Sequence, residues 1–157
     1  MIRLEGVSFR YRAAPEPALS DVTCHIRPGE LVGLLGRSGS GRSTLASTLN
    51  GTIPHLVRGD LRGRISIAGQ DIQGLRPRDL TDRVGFLFQD FEAQLFSTNV
   101  ALEVAFGPEN LRGPPEEGRR RVARCLEVCG LAGFDEREPS TLSGGEKQRL
   151  AIAAVLA

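Results

Sequence analysis

Several residue types are scarce in this chain of 157 residues, and each scarcity argues against a class of protein. The three cysteines, at positions 24, 125 and 129, form no CxxC pair, so we expect neither a disulfide framework nor a cysteine-ligated metal site. No apolar run approaches the length of a membrane-spanning helix, and a net charge of +1 gives no reason to expect nucleic-acid binding. The N-terminal residues lack a signal-peptide pattern. We therefore expect a cytoplasmic protein that reaches a membrane only through partners.

Lysine is scarcer still, because Lys147 is the only lysine among the 20 basic residues. The composition is otherwise ordinary for a globular protein, with 40% hydrophobic and 25% charged residues. The length is sufficient for one domain with a hydrophobic core. The bias towards arginine becomes relevant in the phosphate-binding motif described below.

Hydrophobic patterning predicts a chain of mixed strands and helices. A broken alternation over residues 2–11 predicts an edge strand or hairpin arm, and residues 19–26 and 64–68 predict further strands. The apolar runs 31–35 and 84–88 have the composition of strands buried on both faces. Helices are predicted over residues 43–50, 99–106, 114–129 and from 143 onward, with Gly107 and Pro108 ending the second of them.

The strongest motif is GRSGSGRST, which lies between a predicted buried strand and a predicted helix. Its glycines allow a tight turn with successive N–H groups pointing inward, and the helix N-terminus adds free donors. This arrangement predicts binding of nucleotide phosphates, with Ser43 offering its hydroxyl to Mg²⁺. The motif consists of Gly36, Arg37, Ser38, Gly39, Ser40, Gly41, Arg42, Ser43 and Thr44.

Arg42 departs from the usual form of this motif, which has lysine before the serine. Arginine keeps the positive charge, but its longer planar head is not equivalent to a compact ammonium in a tight cradle. The arginine bias of the chain is a simple origin for the exchange. Phosphate binding is therefore expected to survive here even if hydrolysis is weakened.

A second motif, LSGGEKQR, covers residues 142–149. Ser143 and Glu146 have the spacing of a capping box, which predicts a helix start. Paired glycines in a first helical turn reduce stability, so Gly144 and Gly145 suggest a backbone that something anionic approaches closely.

The two motifs together closely resemble the Walker A loop and the signature of the ABC ATPase family, and the resemblance covers the whole chain. It implies an α/β fold with a P-loop core, an antiparallel β-subdomain and a helical subdomain. The β-subdomain and P-loop would occupy about residues 1–88, and the Q-loop and helical subdomain about 89–157. It also implies ATP and Mg²⁺ as cofactors, and a second ATPase subunit, identical or not, facing this one head to tail.

Individual residues take their expected roles from this resemblance. Tyr11 matches the aromatic residue that stacks on adenine, and Gln89 matches the Q-loop glutamine that touches Mg²⁺ and the attacking water. Gln89 and Arg42 are the expected catalytic residues, and Ser43 and Gln89 the expected Mg²⁺ contacts. The expected contacts with ATP held by the partner subunit are Ser143, Gly144 and Gly145, with Gln148 in the same binding set.

Three segments look like the energy-coupling factor subgroup, whose members import vitamins or transition-metal ions through a separate membrane protein. They are FQDFEAQLF at 88–96, VAFGPENL at 104–111 and NGTIPH at 50–55. The resemblance therefore implies a motor subunit on the cytoplasmic face of the membrane, bound to integral membrane subunits. Two alternatives remain: a degenerate subunit that binds ATP without hydrolysing it, and a non-transport ABC protein acting on DNA or ribosomes.

The family's Walker B strand and switch histidine would follow Ala157, so we expect a chain truncated after the signature motif. The strand predicted at 31–35 would then lack a paired neighbour and leave an open apolar edge. We expect such a chain alone to be unstable and not to turn over ATP, because no general base can be named in it.

Overall fold

The computed structural model describes residues 1–111 and 113–157, which form two compact units, Met1–Val84 and Gly85–Ala157. The first unit combines a sheet with short helices, and the second is helical. The subdomain division proposed near residue 88 stays a prediction, and each unit is described separately below.

The first unit contains an antiparallel sheet with the strand order β2-β1-β3-β4. Its strands are β1 (Ile2–Tyr11), β2 (Leu19–Ile26), β3 (Gly59–Ile67) and β4 (Gln70–Asp71). Between β2 and β3 the chain forms α1 (Arg42–Leu49) and the single turn α2 (Thr52–His55). The strands predicted at 19–26 and 64–68 and the helix predicted at 43–50 therefore all correspond to observed elements.

Strand β1 is a hairpin arm, as predicted, but it is not an edge strand. Leu4 lies opposite Cys24 of β2 on one side and Ile65 of β3 on the other. Register shifts follow Leu4 on both sides, where Gly6 adopts a φ of 60°, and this bulge explains the broken alternation in the sequence. The strand's apolar residues enter a core formed by Leu4, Val7, Phe9, Leu19, Ile53, Ile65, Ile67, Ile72 and Leu80.

The prediction of buried strands at 31–35 and 84–88 is wrong for this structure. Neither segment is a strand, and Leu31 and Leu35 are 101% and 94% exposed. A strand exists only when a neighbour satisfies its N–H and C=O groups, and within residues 1–111 and 113–157 no strand pairs with either segment. The apolar composition thus identifies segments suited to a sheet interior, while pairing decides whether they become strands.

Within its described residues, 85–111 and 113–157, the second unit contains the α-helices α3 (Val100–Asn110), α4 (Pro115–Val128) and α5 (Gly144–Leu156). They pack around one core, whose residues are Val100, Val104, Leu126, Leu131, Leu142, Leu150 and Ala153. The start of α3 is fixed by Asn99, whose side chain accepts a hydrogen bond from the N–H of Leu102. The loop before α5 also supports this end, since the carbonyl groups of Arg137 and Asp135 accept hydrogen bonds from the N–H groups of Val100 and Ala101.

Helix α3 does not end at Gly107 and Pro108, contrary to the prediction, but continues to Asn110. Pro108 is buried. Gly118 of α4 lies beside it, since a Cβ added to Gly118 would be 3.5 Å from the Cβ of Pro108. A proline in the last turn removes one helical hydrogen bond, and we attribute the continuation of the helix to the burial of Pro108 where α3 contacts α4. The helix end is therefore decided by tertiary packing, which a local proline signal does not report.

The three cysteines are free thiols. Cys24 is exposed on β2, whereas Cys125 and Cys129 of α4 pack half-buried against the core of the second unit. Burial raises the pKa of both the Cys125 and the Cys129 thiol. Both side chains are therefore neutral thiols at physiological pH and behave as small apolar groups.

Candidate functional site

The glycine-rich segment 36–41 forms an exposed turn that leads directly into α1. Within it, the N–H of Ser40 donates to the carbonyl of Arg37 over 3.1 Å. Gly41 is required at the end of the turn, because its φ is 87° and a side chain there would lie 2.5 Å from the carbonyl oxygen of Ala18. The chain thus reaches α1 through a conformation that only glycine adopts easily, close against the start of β2.

The N-terminus of α1 has the properties of an anion-binding end. No side chain caps it, its first turn contains no acidic residue, and its first bond runs from Leu45 N–H to the carbonyl of Gly41. The remaining first-turn N–H groups and the helix dipole are therefore available to phosphate oxygens. Arg42 and Ser43 are both exposed at this end. A guanidinium and a hydroxyl beside free amides fit a phosphate group and its Mg²⁺.

Tyr11 lies in the same unit as this turn and is fastened to α1. Its phenol oxygen is 2.8 Å from the hydroxyl oxygen of Thr44, which is buried. The ring also packs edge-on against Phe9, with centroids 4.9 Å apart. These two contacts fix the ring, and the side chain remains 36% exposed. A fixed, partly exposed aromatic ring suits stacking on a planar base. The link to Thr44 joins residues 33 positions apart, and sequence patterning could not reveal it.

The signature segment begins α5 as the sequence predicted. Ser143 caps the helix: its hydroxyl oxygen accepts from the N–H of Glu146, and the Glu146 carboxylate accepts from the Ser143 N–H over 2.7 Å. Hydrogen bonds from Ser143 hold the pKa of the Glu146 carboxyl below its ordinary value. Apart from the neighbouring residues and backbone of α5 itself, no atom lies within 4 Å of the position that a Cβ on Gly144 or Gly145 would occupy. Together with exposed Gln148, these residues present an open backbone surface at a helix N-terminus.

Gln89 lies in the second unit with the signature segment, in an exposed position. The turn that follows it, Glu92–Gln94, is tied to α5 because Lys147 Nζ lies 2.9 Å from Glu92 Oε2. The structure thus groups Tyr11 with the phosphate-binding turn in one unit, and Gln89 with the signature residues in the other.

Two residues that support this second group were missed by sequence reasoning. Glu103 of α3 is only 4% exposed, and one of its carboxylate oxygens accepts from the N–H groups of Phe96 and Ser97 at 3.0 and 2.7 Å. Gln94 bonds to the backbone of Phe86 and Phe88. A charged residue between Leu102 and Val104, on an otherwise apolar stretch of helix, was the available signal for Glu103.

Fold and geometry together define an α/β protein with a phosphate-binding turn before a helix and a second glycine-rich helix start. A family model described as ABC transporter matches residues 19–157, so this chain belongs to the ABC transporter family. Among the residues that the structure describes, no helix is long and apolar enough to cross a membrane. Within the same residues, no three His, Cys, Asp or Glu side chains are grouped to hold a metal ion.

Relatives with similar sequences share the ATP-binding designation. A protein of Caldanaerobacter subterraneus described as an ABC transporter ATP-binding protein is 44% identical over 157 residues. A relative from Pyrococcus abyssi with the same description is 44% identical over 156 residues. Each alignment covers 99% of this chain, which spans 28% of the first relative and 56% of the second.

Solved structures show the same fold. CbiO1 of Clostridium perfringens, described as part of the ABC transporter complex CbiONQ, matches with a TM-score of 0.85 and 33% identity. That match covers 99% of this chain and 60% of CbiO1. The ATP-binding cassette MJ0796, solved as a dimer with ADP and Pi, matches with a TM-score of 0.80 and 32% identity over 100% of this chain and 69% of that one. The expected fold class, an ABC ATPase with an antiparallel sheet and a helical part, is confirmed.

Proposed function

We propose that this chain is the ATP-binding part of the motor subunit of an ABC importer of the energy-coupling factor type. The observation that carries the proposal is the N-terminus of α1, where an uncapped helix end, Arg42 and Ser43 face solvent behind a glycine turn. Nothing in the first turn competes with an anion for these donors. A nucleotide phosphate is the ligand that the arrangement fits best.

The proposed binding mode gives each predicted site residue a role. Tyr11 offers its ring to adenine, the turn 36–41 and the first amides of α1 hold the phosphates, and Arg42 neutralises their charge. Ser43 and Gln89 would contact Mg²⁺, which when bound would withdraw charge from the phosphate oxygens. Ser143, Gly144 and Gly145, with Gln148, would contact ATP held by a second ATPase subunit. The similar cassette MJ0796 was solved as a dimer, which supports the proposed pairing of subunits.

The proposed protein is an importer subunit that acts at a membrane. Support comes from the likeness of residues 88–96 and 104–111 to the energy-coupling factor subgroup, and from the similarity to CbiO1, part of the CbiONQ complex. We infer that the protein hydrolyses ATP at the cytoplasmic face of the membrane, bound to integral membrane subunits. The imported substrate would be a vitamin or a metal ion.

A calorimetric titration with Mg-ATP tests the binding proposal. Arg42→Ala removes the positive charge at the helix start and is expected to weaken binding about 10-fold or more, because a charge-assisted contact contributes about 1.5–3 kcal/mol. Arg42→Lys keeps the charge and should bind as well as the wild type. Arg78→Ala, which removes an exposed arginine paired with Asp79, is the matched control. Equal affinity of all four proteins would refute the assigned site.

Arg42 also favours a second candidate, a subunit that binds ATP without hydrolysing it. The arginine head is larger than the ammonium group that the motif usually carries. Hydrolysis measured in the protein assembled with its membrane subunits separates the two candidates. Turnover by the wild type supports the motor, whereas turnover that appears only in Arg42→Lys supports the degenerate subunit.

A further inference from the structure

The side chain of Gln94 closes the loop that contains Gln89. Its Oε1 accepts a hydrogen bond from the N–H of Phe88 at 2.8 Å, and its Nε2 donates to the carbonyl of Phe86 at 3.3 Å. Phe88 lies immediately before Gln89 in the chain, and Phe86 lies three positions before it. The half-buried carboxamide of Gln94 thus connects the end of the loop to the residues at its beginning.

Residues 86–88, whose backbone Gln94 binds, resemble an extended segment. The rings of Phe86 and Phe88 pack edge-on with centroids 4.9 Å apart, as side chains two positions apart do on one face of a strand. The Phe86 carbonyl and the Phe88 N–H point to one edge of such a segment, where a neighbouring strand would bind them. Gln94 supplies one donor and one acceptor at this edge, and thereby replaces a strand neighbour.

The other end of the loop is fastened independently. Glu92 pairs with Lys147 at 2.9 Å, and buried Glu103 accepts from the N–H groups of Phe96 and Ser97. A loop anchored on both sides of Gln94 leaves that residue little freedom to move away from Phe86 and Phe88. Because residues 92–97 are held in place, the hydrogen bonds of Gln94 also restrain the backbone that precedes Gln89.

Gln89 itself is exposed, and its side chain makes no hydrogen bond to any residue in 1–111 or 113–157. No side-chain hydrogen bond within the described residues therefore fixes its location, and its backbone contributes to it directly. We propose that Gln94 is a positioning residue for Gln89, holding the end of the extended segment so that the Gln89 side chain is presented to nucleotide-bound Mg²⁺. This inference rests on the proposed function for the Mg²⁺ contact, but its hydrogen bonds can be tested without nucleotide.

Three variants test the contact by amide hydrogen exchange at Phe88 in the nucleotide-free protein. Gln94→Met keeps the length but loses both bonds, and should speed exchange of the Phe88 amide about 10-fold, as expected for loss of one hydrogen bond. Gln94→Glu keeps the acceptor and should leave this amide protected. Gln73→Glu changes a glutamine that bonds to the carbonyl of Gly63 in the other unit, and serves as the control. Unchanged Phe88 exchange in Gln94→Met would overturn the inference.

The link to Gln89 is tested by comparing ATP affinity with and without Mg²⁺. Gln94→Met and Gln89→Ala should each reduce the gain in affinity that Mg²⁺ gives, and leave Mg²⁺-free binding as in the wild type. If Mg²⁺ raises the ATP affinity of Gln94→Met as much as that of the wild type, but raises that of Gln89→Ala less, the positioning role of Gln94 is overturned. The proposed Mg²⁺ contact of Gln89 would still stand. A wild-type protein that binds no nucleotide would overturn the proposed function, and the role of Gln94 towards Mg²⁺ with it.

Discussion

At the scale of single residues, Tyr11 joins two parts of the proposed site. Its phenol contacts the hydroxyl of Thr44 in α1, while its ring packs against Phe9 and remains partly exposed. The hydrogen bond and the aromatic face are separable by mutation, since one depends on the hydroxyl and the other on the ring. This separation leads to a prediction for nucleotide binding.

Tyr11→Phe keeps the ring and is expected to bind Mg-ATP with an affinity within about 3-fold of the wild type, while losing about 1 kcal/mol of stability with the Thr44 bond. Tyr11→Ala should weaken ATP binding about 10-fold, because stacking of a base on an aromatic residue contributes about 1–3 kcal/mol. Calorimetric titration measures ATP binding, and urea unfolding followed by circular dichroism measures stability. Equal ATP affinity of both variants would show that the ring does not contact the base.

The Glu146 carboxylate gives a pH-dependent prediction. Ser143 lowers its pKa below the ordinary 4.5, so the folded state favours the ionised form. The stability it contributes is therefore complete above about pH 4.5 and is lost as the pH falls through the folded pKa. The urea midpoints of wild type and Glu146→Gln should differ at pH 7, and the difference should shrink as the pH falls below 4.5 and through the lowered pKa of Glu146. A difference for Glu146→Gln that stays constant with pH would contradict the capping contact.

How much of the site could be predicted from the sequence depends on how local its contacts are. The Ser143–Glu146 capping box spans three residues and is confirmed in the structure. The contacts of Thr44 with Tyr11 and of Glu103 with Phe96 depend on the folded chain. The roles assigned to Gln89, Arg42 and the signature glycines come from family resemblance, and they stay predictions.

At the scale of elements, prediction was accurate where local patterning sufficed. Strand β2 has the predicted bounds, whereas β1 lies inside the sheet because β3 returns to pair with its other side. The segments 31–35 and 84–88 have sheet-like composition but no strand partner within the part of the chain that the structure describes. Partners distant in sequence therefore account for these errors, as packing on α4 accounts for the error at the end of α3.

The contact between α3 and α4 gives a prediction for stability. Gly118 is a helical position, and an added Cβ would lie 3.5 Å from Pro108, an ordinary van der Waals distance. Gly118→Ala should therefore stabilise the protein by about 0.5–1 kcal/mol in urea unfolding, through helix propensity. Destabilisation by Gly118→Ala would mean that α3 and α4 pack more tightly than the structure shows.

Gly63→Ala is the contrasting control in the first unit. Its φ is 90°, and an added Cβ would lie 2.6 Å from the carbonyl oxygen of Glu5. A side chain there meets both backbone strain and a clash with β1, so a loss of about 1–3 kcal/mol is expected. The two alanine variants should thus shift the urea midpoint in opposite directions.

At the scale of the whole molecule, the chain combines two units that each carry one glycine-rich turn. The first turn precedes α1 in the unit Met1–Val84, and the second begins α5 in the unit Gly85–Ala157. Family membership and similarity to ATP-binding cassettes are shown by the comparisons. The proposal that both turns hold one nucleotide between two subunits makes a distinctive prediction about mixtures of variants.

Mixing two defective variants tests that claim most directly. Arg42→Ala damages the phosphate-binding turn, and Gly145→Asp places a negative charge where the partner's γ-phosphate would lie. In a head-to-tail dimer of the two, one site combines an intact turn with an intact signature. Sedimentation velocity should show Mg-ATP-dependent dimers for the wild type and for the mixture, and almost none for either variant alone. Wild-type dimers without any recovery in the mixture would contradict the shared site.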